Sequence, residues 1–116
     1  MKIAIIGSRT LHINNLEDYI PEECTEIVSG GALGVDTSAA EFARRRGLKL
    51  KEFLPEYEKY GRGAPLVRNK LIVNYADAVY AFWDRESRGT WFTIDYAKKV
   101  GKPVRIFALK RNRDMK

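Results

Sequence analysis

The stretch Glu26–Asp36, EIVSGGALGVD, decides the reading of the fold. Its first four residues, Glu26–Ser29, contain Ile27 and Val28 and form a short β-branched run that glycine cuts off. That is the pattern of a buried strand. Gly30, Gly31 and Gly34 then make a glycine-rich loop, and Asp36 stands where a helix N-cap belongs. The helical pattern continues through Glu41 and Phe42, and Ala39, Ala40 and Ala43 leave one face small enough to lie close on a sheet. Arg44–Arg46 suit a last turn, where cations favour the helix dipole, and Gly47 stops the helix.

The same strand–turn–helix unit recurs on either side. Lys2–Ile6, KIAII, is an apolar strand that ends at Gly7-Ser8-Arg9. Asn14–Ile20 reads as a short amphipathic helix, with Leu16, Tyr19 and Ile20 apolar and Pro21 closing it. Leu48–Leu54 reads as the third strand and Pro55–Ala64 as a surface loop. Pro65 suits the first position of a helix over Leu66–Tyr75, which carries Arg68 and Asn69 in its first turn. Asp77–Trp83 is a fourth strand, Asp84–Gly89 a polar loop, Thr90–Val100 a helix stopped by Gly101, and Pro103–Leu109 a fifth strand. Strict alternation of apolar strands and helices predicts an α/β, Rossmann-like three-layer sandwich with a five-stranded parallel sheet. Right-handed crossovers favour the strand order 3-2-1-4-5. Residues 1–109 form a single domain on this reading, and 110–116 a frayed basic tail.

Composition narrows the class. With 116 residues, 45% of them hydrophobic and 31% charged, the chain can bury a core and is not of the disordered, collagen-like or coiled-coil classes. One cysteine, Cys24, and one histidine, His12, leave no material for an internal disulfide or a His/Cys metal cluster. The expectation is a cytoplasmic protein with no metal and no required cofactor. The apolar start is too short for a signal peptide, and no run approaches the ~20 residues of a membrane span. The net charge of +6 is uneven. Residues 1–43 hold two basic against seven acidic side chains, and residues 44–116 hold nineteen against eight. Such a basic stretch can attract polyanions or phosphorylated small molecules, or can simply be solvated.

Open parallel sheets bind ligands at the carboxyl ends of their strands, beside the point where strand order reverses. Three segments fall there. They are Gly7-Ser8-Arg9, then Ser29-Gly30-Gly31-Ala32 with Gly34 and Asp36, and finally Ser87 with Gly89-Thr90. Glycines let backbone N–H groups approach an anion, and helix N-termini add positive potential. Ser87 and Thr90 offer hydroxyls, Arg9 and Arg68 suit bidentate phosphate contacts, and Asn69 suits a base or ribose hydroxyl. Each has a plainer reading. The glycines can serve turn geometry alone, Asp36 and Thr90 can be caps, and Arg68 can be solvated. Tyr57, Tyr60 and Trp83 can stack on a base or pack locally, and Trp91 and Phe92 suit core or dimer contacts. His12 has no acid nearby in sequence and reads as a surface residue. Cys24 has no basic neighbour and is not read as a nucleophile.

These segments together resemble the SLOG superfamily of Rossmann-like domains, which includes the DNA-processing protein A family and the LONELY GUY enzymes. The similarity is greatest to its small, single-domain bacterial branch and covers nearly the whole chain. Further matching positions are Tyr60-Gly61 with Ala64, Arg68-Asn69, Ala76-Asp77, Ala81-Phe82-Trp83, Ala97-Lys98 and Gly101-Lys102-Pro103-Val104. The resemblance implies a pocket for a nucleotide or nucleotide-derived ligand, formed by Gly7, Ser8, Arg9, Ser29, Gly30, Gly31, Ala32, Gly34, Asp36, Arg68, Asn69, Ser87, Gly89 and Thr90. It also implies a homodimer or higher homo-oligomer. LONELY GUY enzymes split a nucleoside monophosphate at its N-glycosidic bond and carry P-G-G-x-G-T-x-x-E. Here Gly89-Thr90 match, Glu86 and Ser87 replace the two glycines, and Thr93 stands in the place of the glutamate.

Three functions follow as expectations. The first is a sensor or carrier that binds a phosphorylated nucleotide-like ligand at the carboxyl edge of the sheet. The second is a nucleotide-processing enzyme, in which Asp36 or Glu86 would have to supply the acid/base group. The third is single-stranded nucleic-acid binding through the basic remainder of the chain.

Overall fold

A computed structural model describes residues 1–110 of the chain. Alternate residues of strand β1 (Lys2–Gly7) face opposite ways, and each set enters its own core. Ile3 and Ile5 join Ile27, Tyr80 and Phe82 beneath one helix, while Ala4 and Ile6 join Val28, Val79 and Ala81 beneath two others. The sheet is completed by β2 (Glu26–Ser29), β3 (Lys49–Glu52), β4 (Ala78–Trp83) and β5 (Val104–Ala108). All pairings are parallel and the order is β3-β2-β1-β4-β5, as the alternation of elements predicts.

Helix α1 (Val35–Arg46) covers the first face, burying Val35, Ala39, Phe42 and Ala43. Its small residues permit this close seat, and Gly47 ends it in the left-handed conformation at φ 65°. A one-turn helix α2 (Tyr57–Tyr60) follows β3. Helices α3 (Ala64–Tyr75) and α4 (Arg88–Lys99) cover the second face through Ile72, Val73, Ile94 and Ala97. Among the described residues no helix is long and apolar enough to cross a membrane.

Three local expectations change. The helix expected over Asn14–Ile20 is only a 3-10 turn at Leu16–Asp18. A segment so short does not repay helix nucleation, and Asn15 makes no side-chain cap. Leu11, Ile13, Leu16 and Ile20 instead enter the core from an irregular path, and the Ile13 N–H donates to Ser38 Oγ at 2.8 Å. The Pro55–Ala64 stretch, expected as a loop, contains α2 and a 3-10 turn at Gly61–Gly63. Finally, Gly34 rather than Asp36 precedes α1, at φ 73°, and Asp36 lies within its first turn. Residues 111–116 of the expected tail lie outside the described residues.

The carboxyl end of β1 sets the tightest packing constraint. A Cβ at Gly7 would run into the Phe82 carbonyl oxygen and stand 2.6 Å from Val35 Cγ2. Neither neighbour can yield, since one is β4 backbone and the other a buried β-branched side chain in the first turn of α1. Gly7→Ala is therefore expected to destabilise the fold by about 1–3 kcal/mol in urea unfolding. Gly89→Ala, whose Cβ would meet no atom within 4 Å, is expected to be neutral or to stabilise by up to ~1 kcal/mol.

Candidate ligand-binding site

A cavity of about 510 Å³ opens above the carboxyl ends of β1 and β4, the point where strand order reverses. That volume is usual for small-molecule sites. The first turns of α1, α3 and α4 all contribute to its wall, through Asp36, through Pro65, and through Gly89 and Thr90, and Arg68 joins them from the second turn of α3.

Ser8 is the junction beneath it. The residue is buried, and its N–H donates to the Phe82 carbonyl at 3.1 Å. Its own carbonyl accepts from the N–H groups of Leu11 and Val35, each at 3.3 Å. Its hydroxyl accepts from the Asp84 N–H at 3.1 Å. One residue thus ties β1 to β4 and to the start of α1.

Asp84 organises the loop between β4 and α4. It accepts from Thr10 Oγ1 at 2.7 Å, from the Glu86 N–H at 2.9 Å and from the Ser87 N–H at 2.8 Å. Between them Arg85 takes a left-handed φ of 68°, an uncommon conformation for a residue with a side chain. Desolvation pushes the Asp84 carboxyl upward, but the Thr10 hydroxyl, the two N–H groups and the Ser8 hydroxyl outweigh it and hold the pKa down at about 2. Ser87 then caps α4, its hydroxyl accepting from the Thr90 N–H at 3.4 Å and meeting Thr90 Oγ1 at 3.0 Å.

Arg68 is 8% exposed and is committed to backbone. Its Nη1 donates to the Gly30 carbonyl at 2.6 Å and to the Phe53 carbonyl at 3.4 Å, and its Nε donates to the Pro65 carbonyl at 3.4 Å. Burial lowers its pKa, with Asp36 opposing. Burial also raises the Asp36 carboxyl, against the Ala32 N–H, the Arg68 charge and the nearby Ser29 hydroxyl. The Ala32 N–H donates to Asp36 Oδ2 at 3.1 Å. The Ser29 hydroxyl is buried and makes no hydrogen bond of good geometry. Because the folded pKa of Asp36 is raised, its ionisation opposes folding as pH climbs from its ordinary value of 3.8.

Most sequence-derived positions meet at this cavity. Gly7, Ser8, Arg9, Ala32, Asp36, Arg68, Asn69, Ser87, Gly89 and Thr90 line it, together with Glu86. Ser29, Gly30, Gly31 and Gly34 do not line it, and the glycines among them serve close approaches. A Cβ at Gly30 would strike the Arg68 guanidinium and come within 3.0 Å of Asp36 Oδ2. Gly34 combines φ 73° with contact against the Arg9 backbone. Tyr57 and Tyr60 are exposed on α2 and do not line the cavity.

Thr10 and Asp84 were not among the sequence-derived positions. Asp84 had a local signal, because an Asp three residues before a Ser that opens a helix suits a side-chain-stabilised turn. Thr10 had none, since its partner lies 74 residues away. Thr93 lines the cavity with its hydroxyl donated to the Gly89 carbonyl at 2.9 Å. Asp95 pairs with Lys99 at 2.9 Å. His12, read as lacking an acid, lies 3.3 Å from Glu41 Oε1, because α1 brings that distant residue alongside. Cys24 is buried and burial raises its thiol pKa, an environment unsuited to a nucleophile. Among the described residues no group of three or more His, Cys, Asp or Glu side chains could hold a metal ion.

The chain matches no known protein-family pattern and no curated protein.

The Asp84 carboxylate contributes stability that is full above pH 3.8 and is lost as pH falls through about 2. Asp84→Asn is expected to lower unfolding free energy by about 1–2 kcal/mol at neutral pH, after allowance for solvent screening. Urea titrations at neutral pH and near pH ~3 check this, with the deficit of the variant shrinking in acid.

Proposed function

We propose that this chain binds a nucleotide or nucleotide-derived phosphorylated ligand in the cavity, as a sensor or carrier. The observation that carries the reading is the convergence of three helix N-termini on one cavity that also holds Arg9 and Arg68. Each helix start adds positive potential and N–H groups, which together favour an anion. The exposed Arg9 side chain and the Ser87 and Thr90 hydroxyls suit a phosphate, with Arg68 as a fixed positive charge behind it. Asn69 suits a ribose hydroxyl or base edge. The sequence resemblance to the SLOG superfamily supports the same ligand class.

A second reading, cleavage of the bound nucleotide, draws on Asp36 and Glu86. Both carboxylates line the cavity, where an acid/base group would have to lie. Nucleic-acid binding gains less support. Arg44–Arg46 and Lys98–Lys99 lie in the last turns of α1 and α4, at the opposite ends of these helices from the turns that line the cavity.

Calorimetric titration with AMP tests the main reading. Arg9→Gln is expected to weaken AMP about 10- to 100-fold, the loss of one charge-assisted contact, with little change in melting temperature. Unchanged affinity in this variant, or no binding by the parent protein, contradicts the proposal. Chromatography of the same samples for released adenine decides between binding and cleavage.

A further inference from the structure

Adjoining the cavity at the start of α4 lies a second and smaller recess. It is lined by Trp83, Trp91, Glu86, Ser87 and Arg88. The two indoles stack with centroids 5.5 Å apart and planes 25° from parallel. Trp91 nevertheless remains 48% exposed. Removing this much aromatic surface from water would favour a flat partner.

The recess is built into the cavity wall. The Ser87 carbonyl accepts from Trp83 Nε1 at 3.0 Å and from the Trp91 N–H at 3.2 Å. The Ser87 hydroxyl meets Thr90 Oγ1, and both residues line the larger cavity. Glu86 and Ser87 line both spaces. A ligand with its anionic group among the hydroxyls at the start of α4 therefore has an aromatic shelf in the adjoining recess, since Glu86 and Ser87 border both. Arg88 at its border offers a donor to the edge of a heteroaromatic ring.

We infer that the Trp83–Trp91 shelf is a stacking subsite for the planar base of the bound ligand. The inference rests on the phosphorylated-ligand reading and adds to it which part of the ligand confers selectivity. Base–aromatic stacking tolerates any base, so the shelf selects for the presence of a base more than for its identity.

The chain has only two tryptophans, so its tryptophan fluorescence reports on this shelf alone. The test uses AMP, ribose 5-phosphate and adenosine with the intact chain. AMP is expected to quench the emission, while ribose 5-phosphate binds by calorimetry and leaves emission unchanged. Trp91→Ala is expected to weaken AMP about tenfold or more and to leave ribose 5-phosphate unaffected. Trp91→Phe, which keeps an aromatic face, should restore most of the loss, and this guards against an effect of misfolding. Equal affinities for AMP and ribose 5-phosphate, with no quenching, overturn the shelf and leave the phosphate site standing. Quenching by adenosine without any binding of ribose 5-phosphate supports the shelf and overturns the phosphate site. No response to any of the three overturns both. Emission that changes with protein concentration alone, together with a dimer by light scattering that Trp91→Ala abolishes, means a second copy covers the shelf, and this too overturns the inference.

Discussion

The Arg68 guanidinium is buried, and its hydrogen bonds end on carbonyls of Gly30, Phe53 and Pro65. Those carbonyls belong to the turn after β2, the segment after β3 and the first turn of α3. A buried cation is tolerated only with such partners and with a counter-charge nearby, which Asp36 supplies. Removal of either side leaves a buried charge uncompensated, so the two are constrained together. The absence of a side chain at Gly30 follows from this, because a Cβ there would occupy the position of the guanidinium. The Ala32 backbone is fixed in turn by its bond to Asp36. The wall of the cavity on the β2 side is therefore a consequence of where one arginine lies.

The opposite wall depends on Ser8 and Asp84. Ser8 joins the ends of β1 and β4 to α1, and Asp84 gathers Thr10 and the N–H groups that lead into α4. Between these two networks the first turns of three helices face one space. At the start of α4, Ser87 and Thr90 add their hydroxyls to the cavity wall. This division explains how residues 1–110 present fixed polar groups at one cavity.

Much of this was legible in the sequence. The apolar strands, the glycine turns and the alternation of elements are local signals, and they suffice for the sheet order. The gathering of the segments after β1, β2 and β4 at one edge follows from topology. What could not be read depends on partners far apart in the chain. Arg68 and Gly30 are 38 residues apart, and Thr10 and Asp84 are 74 apart. An arginine on a helix gives no sign that it will be buried, and a glycine in a loop gives no sign of which neighbour it makes room for. The Asn14–Ile20 segment departs from its expected helix for a related reason. Its apolar spacing fits a helix, yet burial of Leu11, Ile13, Leu16 and Ile20 is achieved by tertiary contacts without one.

The proposed occupant of the cavity above β1 and β4 is a phosphorylated nucleotide-like ligand. Backbone amide NMR during titration with AMP tests it residue by residue. Saturable shifts are expected at Ser8, Arg9, Asn69 and the Ser87–Thr90 turn, with the amides of β3 and of the last turn of α1 unmoved. No saturable shifts, or shifts centred on the Arg44–Arg46 end of α1, would contradict it.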